Sequence, residues 1–258
     1  MDTTAVAYRA IATALQKRKD QVAHQPEVAL ATKYYKANIA KATTVDSFLK
    51  DYRLFSYAMK AYGLGDRLDS KGLVRKLLSE DPTNPKALVN TLSDQRYKAL
   101  AKGFDFFRKG AGATGDPAAT AKVVDRYLQQ ALEDKAAETN PGVKLALYFK
   151  RQAPEVASVF GILADKDLLK VVRTAFDIPE QTSAQSIDSQ AAMLKKFIDP
   201  KDFKDPAKLG RFLDKFTAMY DMKASASAVA TTPLSGLFSE TTTVSMGADV
   251  LMALQRRR

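Results

Sequence analysis

The chain has 258 residues, no cysteine, and a formal net charge of +11. That length suits one large domain or two small ones able to bury a sizeable core without staples. The missing cysteines exclude disulfides, thiolate catalysis and cysteine-ligated metal, which fits the cytosol and equally fits export by a route that needs no oxidation.

The first residues, MDTTAVAYRAIATALQKRKD, lack the basic n-region and continuous apolar h-region of a signal peptide. No run of about 18 apolar residues occurs, so no membrane span is expected. Residues 4–22 carry Tyr8, Ile11, Ala12 and Leu15 at three- and four-residue steps and predict a helix, with Asp2 or Thr3 as its cap. His24, the sole histidine, lies in the polar connection KDQVAHQPE and reads as an exposed linker residue. Pro26 suits the first turn of a second helix bearing Val28, Ala31, Tyr35 and Ile39. Thr43, Thr44 and Asp46 offer caps for a third, which contains DYRLFSYAMKAYGLG, residues 51–65.

In that stretch aromatic rings alternate with Arg53 and Lys60, as they would in a nucleic-acid platform. A helical wheel at about 100° per residue decides against it. Phe55, Met59 and Tyr62 fall on the same side as Tyr52, and Leu54, Ala58 and Ala61 continue the arc. Arg53, Ser56 and Lys60 form a polar wedge opposite, and only Tyr57 sits at the boundary. The rings are expected inside, on a core helix that Gly63 and Gly65 end.

A weak echo follows about 114 residues later, where DKDLLKVVRTAFDIP places Leu168, Ala175, Phe176 and Ile178 as Leu54, Ala61, Tyr62 and Leu64 are placed. Each stretch leads to a further helix stopping at Asp-Pro (Asp81-Pro82 and Asp199-Pro200), then to leucines at 88 and 92 or at 209 and 213. The pattern is compatible with two related helical modules, about 44–107 and 160–222, and equally with the ordinary recurrence of leucine-rich helices. Between them RKGAGATGDPAAT, residues 108–120, reads as an exposed loop, after which Asp116-Pro117 restarts a helix. The segment from Val143 to Asp165 predicts a central helix bent or broken near Pro154.

The compact all-α body is expected to fill residues 1–222. Residues 223–258 are poor in charge and rich in Ala, Ser and Thr, and read as a flexible tail. That tail closes on ADVLMALQRRR, residues 248–258, a short amphipathic helix. Val250, Leu251 and Leu254 are candidate apolar anchors for a protein partner, and Arg256, Arg257 and Arg258 would read an acidic rim.

Catalytic patterns are missing. There is no GxSxG elbow. GAGATGD at 110–116 has no Lys-Ser or Lys-Thr behind it, so it is no P-loop. One histidine cannot build the usual multi-histidine zinc site. The carboxylates of LEDKAAE and FIDPKDFKDP read as helix surfaces and caps. No catalytic residue, metal or cofactor is therefore assigned, and the expected class is a non-enzymatic interaction or structural protein. Two alternatives stay open: a basic surface binder of nucleic acid or membrane, with no specific nucleic acid expected, and an enzyme with an unrecognised site.

Residues 33–66, KYYKANIAKATTVDSFLKDYRLFSYAMKAYGLGD, resemble the bacterial family of domain of unknown function 1217. The resemblance continues through Leu92-Ser93-Asp94, Arg96-Tyr97, Phe104 and Phe106, then Asp165, Leu168 and Leu169, and finally Leu251-Met252-Ala253-Leu254-Gln255. It implies an all-helical fold. Family members are commonly encoded among flagellar genes, so it also implies a flagellar rod or export component as partner, and a protein that stays cytoplasmic or is exported with the flagellum. It brings no functional residue with it.

Overall fold

The structure is a computed structural model that describes residues 3–231, with side chains through residue 226. Contacts divide the chain into one unit of Met1–Asp221 and a second of Met222–Arg258. Every regular element among the described residues is helical. In chain order these are α1 (Thr4–Thr13), α2 (Leu15–Ala23), α3 (Pro26–Asn38), α4 (Val45–Lys50), α5 (Tyr52–Ala61), α6 (Lys71–Ser79), α7 (Leu88–Thr91), α8 (Gln95–Phe104), α9 (Phe106–Lys109), α10 (Pro117–Thr139), α11 (Pro141–Gln152), α12 (Val159–Ala164), α13 (Lys166–Ala175), α14 (Ile187–Leu194) and α15 (Pro206–Thr231). Short 3₁₀ turns join several of them. Among the described residues no helix is long and apolar enough to cross a membrane.

Local chemistry sets most of the starts. Thr3 caps α1 by accepting from the Val6 amide, and Thr44 and Ser47 form a reciprocal capping box on α4. Asp51, Asp94, Asp116, Asn140 and Asp165 each turn a side-chain oxygen onto the first amides of α5, α8, α10, α11 and α13. Each such cap is worth on the order of 1 kcal/mol. Pro26, Pro117 and Pro141 occupy first-turn positions, where a missing N–H costs nothing.

Two expected helices are divided. The helix over 4–22 breaks at Ala14 (φ −106°, ψ 29°). The break lets α1 lie on α11 while α2 lies on α10, where the buried Lys19 ammonium pairs with Asp125. The third helix breaks at Asp51, whose extended backbone ends α4 and whose carboxylate starts α5. The central segment breaks near Pro154, as its sequence predicts: α11 stops at Gln152 and a 3₁₀ turn covers Ala153–Glu155.

On α5 the inward face differs from the wheel at two rings. Tyr52 is 57% exposed and Tyr57 only 3%. The buried arc centres near Leu54 and Ala58, which leaves Tyr52 at the edge of the polar wedge. Tyr57 is held inside by rings on both sides, 4.3 Å from Tyr35 and 3.8 Å from Tyr127 between centroids, and its hydroxyl bonds to Thr32 at 3.0 Å. Phe55, Met59 and Tyr62 are buried as expected. The segment 108–120 is only partly an exposed loop: Ala113 and Thr114 are buried, and the Thr114 hydroxyl donates to the Ala42 carbonyl at 3.1 Å. His24 is exposed. α15 runs on to Thr231, beyond Met222, where composition alone marks a change.

Residues 34–64 and 148–178 share one construction at a constant offset of 114. A 3₁₀ turn (39–41 or 153–155) leads to a six-residue helix (α4 or α12) and then a ten-residue helix (α5 or α13). Asp51 and Asp165 cap the latter. Tyr34 Oη donates to Asp51 at 2.8 Å, and Tyr148 Oη donates to Asp165 at 2.6 Å. The ends also agree, because the Leu64 and Ile178 amides return to the carbonyls of Met59 and Arg173 at 2.8 and 2.9 Å. That closure needs a left-handed residue, supplied by Gly63 (φ 74°) and by Asp177 (φ 52°). The likeness thus begins before residue 44. It does not pair Leu88 with Leu209: Leu88 starts the four-residue α7, whereas Leu209 lies on α15.

Each construction has its own apolar cluster. One gathers Phe48, Phe55, Met59, Leu77 and Phe104; the other gathers Phe149, Ile162, Leu168, Leu194 and Phe216. The 23-residue α10 lies along the seam, against α5 on one side and α11 on the other.

The join of α1, α11 and α15 has no room for a methyl group at Gly142, where a Cβ would stand 2.6 Å from Tyr220 Cδ1 and 2.9 Å from Thr4 Cγ2. Gly142→Ala is expected to destabilise the fold by about 1–3 kcal/mol through overpacking. An unchanged denaturant midpoint would show that this join yields more readily than its packing indicates.

Candidate functional site

The expected contact residues Val250, Leu251, Leu254, Arg256, Arg257 and Arg258 lie outside the described residues. The described polar chemistry gathers along the seam between the two apolar clusters.

Arg96, on the first turn of α8, is 7% exposed and still finds a partner for each donor group. Its Nε and Nη2 donate to Asp94 at 3.0 and 2.7 Å. Its Nη1 donates to the Gly63 carbonyl at 2.8 Å and to Tyr148 Oη at 3.4 Å. Asp165 Oδ2 stands 3.4 Å from Nε and accepts from Tyr148 Oη. Burial works against the charged guanidinium, but the hydrogen bonds to Asp94 and the nearness of Tyr148 and Asp165 prevail and raise its pKa. Burial, reinforced by the Asp165 charge, raises that of the Tyr148 phenol. Asp167, in the first turn of α13, is pushed up by burial and then by Asp165.

A second buried pair lies beside the first. Arg151 donates from Nε and Nη2 to the fully buried Glu133 at 2.9 and 2.7 Å, and Gln129 completes that carboxylate at 3.1 Å. The Arg151 guanidinium also lies 5.3 Å from the Tyr148 ring, and among the described residues its Nη1 has no hydrogen-bond partner.

A cavity of about 500 Å³ opens above this polar layer. Asp94, Arg96 and Asp165 form its inner end, already bonded to one another. Its walls carry Lys98 and Lys102 of α8 and Lys122 and Arg126 of α10. Each pair is spaced i,i+4 and so stands on one helix face, where like charges repel by a few tenths of a kcal/mol. None of these four cations has a carboxylate partner among the described residues. A neighbouring cavity of about 720 Å³ shares Lys122, Arg126, Gln152 and Glu155 with it. Among the described residues no group of three or more His, Asp or Glu is placed to hold a metal ion.

Sequence reasoning left Asp94, Arg96, Tyr148 and Asp165 without a role. One signal was present: Asp94-Gln95-Arg96 repeats the Asp51-Tyr52-Arg53 spacing in which an Asp cap is followed two residues later by Arg. The two arginines then diverge. Arg53 stays exposed with its guanidinium 3.6 Å from the centroid of the Tyr34 ring, while Arg96 turns inward.

The fold and this polar layer define an all-helical protein in which one helical construction occurs twice and a buried Arg–Asp–Tyr knot joins the copies. The chain belongs to the family described as "Protein of unknown function (DUF1217)", which matches residues 61–209. It is similar to the crystal structure of protein AGR_C_984 from Agrobacterium tumefaciens, a structural-genomics target. The two are 42% identical, with 85% of this chain and 94% of that one covered and a TM-score of 0.76. No curated protein matches the chain.

Removing Arg96 would leave the Asp94 and Asp165 carboxylates without their cation. Arg96→Met is expected to cost about 3–5 kcal/mol, as for other broken buried pairs. Arg96→Lys, which keeps the charge and loses the planar fork, should fall between it and the wild type. Urea unfolding of the three proteins checks the order, and equal midpoints would contradict the knot's structural role.

Proposed function

We propose that the protein is a non-enzymatic interaction or structural component of bacterial flagellar assembly, binding a rod or export component through residues 248–258. The observation that carries this reading is the division of the chain into Met1–Asp221 and a second unit, Met222–Arg258, whose sequence holds the patterned segment. The spacing of Val250, Leu251 and Leu254, ahead of Arg256, Arg257 and Arg258, would place them on one face of a helix. That arrangement suits an amphipathic helix laid in an apolar groove with an acidic rim. The flagellar setting rests on the family resemblance, and it leaves both a cytoplasmic role and export with the flagellum as expected locations.

The strongest polar interactions of Met1–Asp221 also support a structural reading. Arg96 and Arg151 spend their charge on Asp94, Asp165 and Glu133, which tie helices to one another.

Replacing Leu251 and Leu254 together with Asp is the direct test. Loss of partner capture and of swimming, at normal protein levels, is the expected result. Unchanged swimming and capture would remove the segment from the function. Fractionation of motile cells into cytosol, medium and flagellar basal structures, read with an antibody, separates the two locations.

A further inference from the structure

The cavity above the Arg96 knot has features that the packing of the fold does not require. Lys98 and Lys102 face it from α8, and Lys122 and Arg126 face it from α10. Lys109 of α9 lines the space as well, so five cations beyond Arg96 surround one concavity, an arrangement that favours entry of an anion. Two neutral donors stand in the same wall. Gln152, at the end of α11, is 9% exposed, lines the cavity, and makes no side-chain hydrogen bond among the described residues. The Tyr62 hydroxyl also lacks a partner there and occupies the space over Gly103, where a Cβ would meet it at 1.9 Å. Arg126 sits 5.1 Å from the Tyr62 ring, which helps to fix its position. The acidic members of the lining already have partners, Asp94 and Asp165 in Arg96 at the inner end and Asp116 in the Ala118 amide; Glu155 also lines the neighbouring cavity.

We propose that this cavity binds a small phosphate-bearing polyanion, clamped between Lys98 and Lys102 on one side and Lys122 and Arg126 on the other, with the Gln152 amide and the Tyr62 hydroxyl donating to its oxygens. Phosphoryl groups supply several strong acceptors and more than one negative charge each, which matches a clamp with more cations than a single carboxylate can use. The volume of about 500 Å³ lies within the range of small-molecule sites. A single-stranded nucleic acid would need ring faces open for stacking, and Tyr62 is only 4% exposed. All of its lining residues belong to the unit Met1–Asp221.

Calorimetric titration of the full chain with pyrophosphate at about 0.15 M salt, where long-range attraction is screened, tests the proposal. Saturable binding at a single site is expected. Lys122→Gln combined with Arg126→Gln should weaken it by about ten-fold or more, the scale of a lost charge-assisted contact. Lys195→Gln combined with Lys201→Gln, which removes the same charge from a different surface, should leave it unchanged. Gln152→Leu keeps every charge and should still weaken binding, so it decides the matter if the Lys122/Arg126 variant does not fold. No saturable binding, equal weakening by the Lys195/Lys201 variant, or full affinity in the folded cavity variants would overturn the proposal. So would binding of hexaglutamate in place of pyrophosphate, which would assign the cavity to an acidic protein segment instead.

Discussion

The relative placement of α5, α8, α11 and α13 depends on keeping one buried cation charged. Moving a guanidinium out of water costs several kcal/mol, and only close partners in good geometry offset it. Arg96 has them on four helices: the cap of its own α8, the carbonyl that follows α5, a tyrosine within α11 and the cap of α13. A shift of any one of these would leave a donor or a carboxylate unsatisfied in a largely buried layer, where such errors are expensive. The knot therefore fixes an arrangement that apolar contact alone, being non-directional, would leave loose.

The repeated construction explains why there is one knot and not two. Both copies place a tyrosine hydroxyl on the aspartate that caps their ten-residue helix. In the first copy that aspartate is half-buried and Arg53 covers the tyrosine from outside. In the second the matching position, 114 residues on, is Asp167, which cannot serve as a cation. The charge is supplied across the seam by Arg96 instead. Both copies keep the same local geometry, but the cation of the second comes from α8, outside either copy, and it reaches the first through the Gly63 carbonyl.

How much of this was legible in the sequence follows the range of each interaction. Caps act within three residues, and Thr3, Pro26, Thr44 and Asp116 announce their helices directly. Helical period identifies Phe55, Met59 and Tyr62 as core. It misplaces Tyr52 and Tyr57 because a wheel drawn around Tyr52 takes the edge of the apolar arc for its middle; the true centre is set by where Tyr35 and Tyr127 lie, on other helices. The breaks at Ala14 and Asp51 contain neither proline nor glycine and follow from what α1, α2, α4 and α5 pack against. Arg96 was hidden for the same reason, since its partners at Gly63, Tyr148 and Asp165 are remote in sequence. The cavity cations become a group only when α8 and α10 are brought face to face.

One more long-range contact has a topological meaning. The Thr4 amide donates to both carboxylate oxygens of Asp221, and its side chain also meets Asn140, the cap of α11. These groups are separated by 217 positions, yet the entropy of closing such a loop grows only with the logarithm of its length. In polymer terms the chain from Thr4 to Asp221 is a closed ring. A single backbone nick at the exposed glycines Gly110 and Gly112 would open that ring into a line with its two apolar clusters, its knot and its clasp still in register, so the severed pieces would remain one folded body.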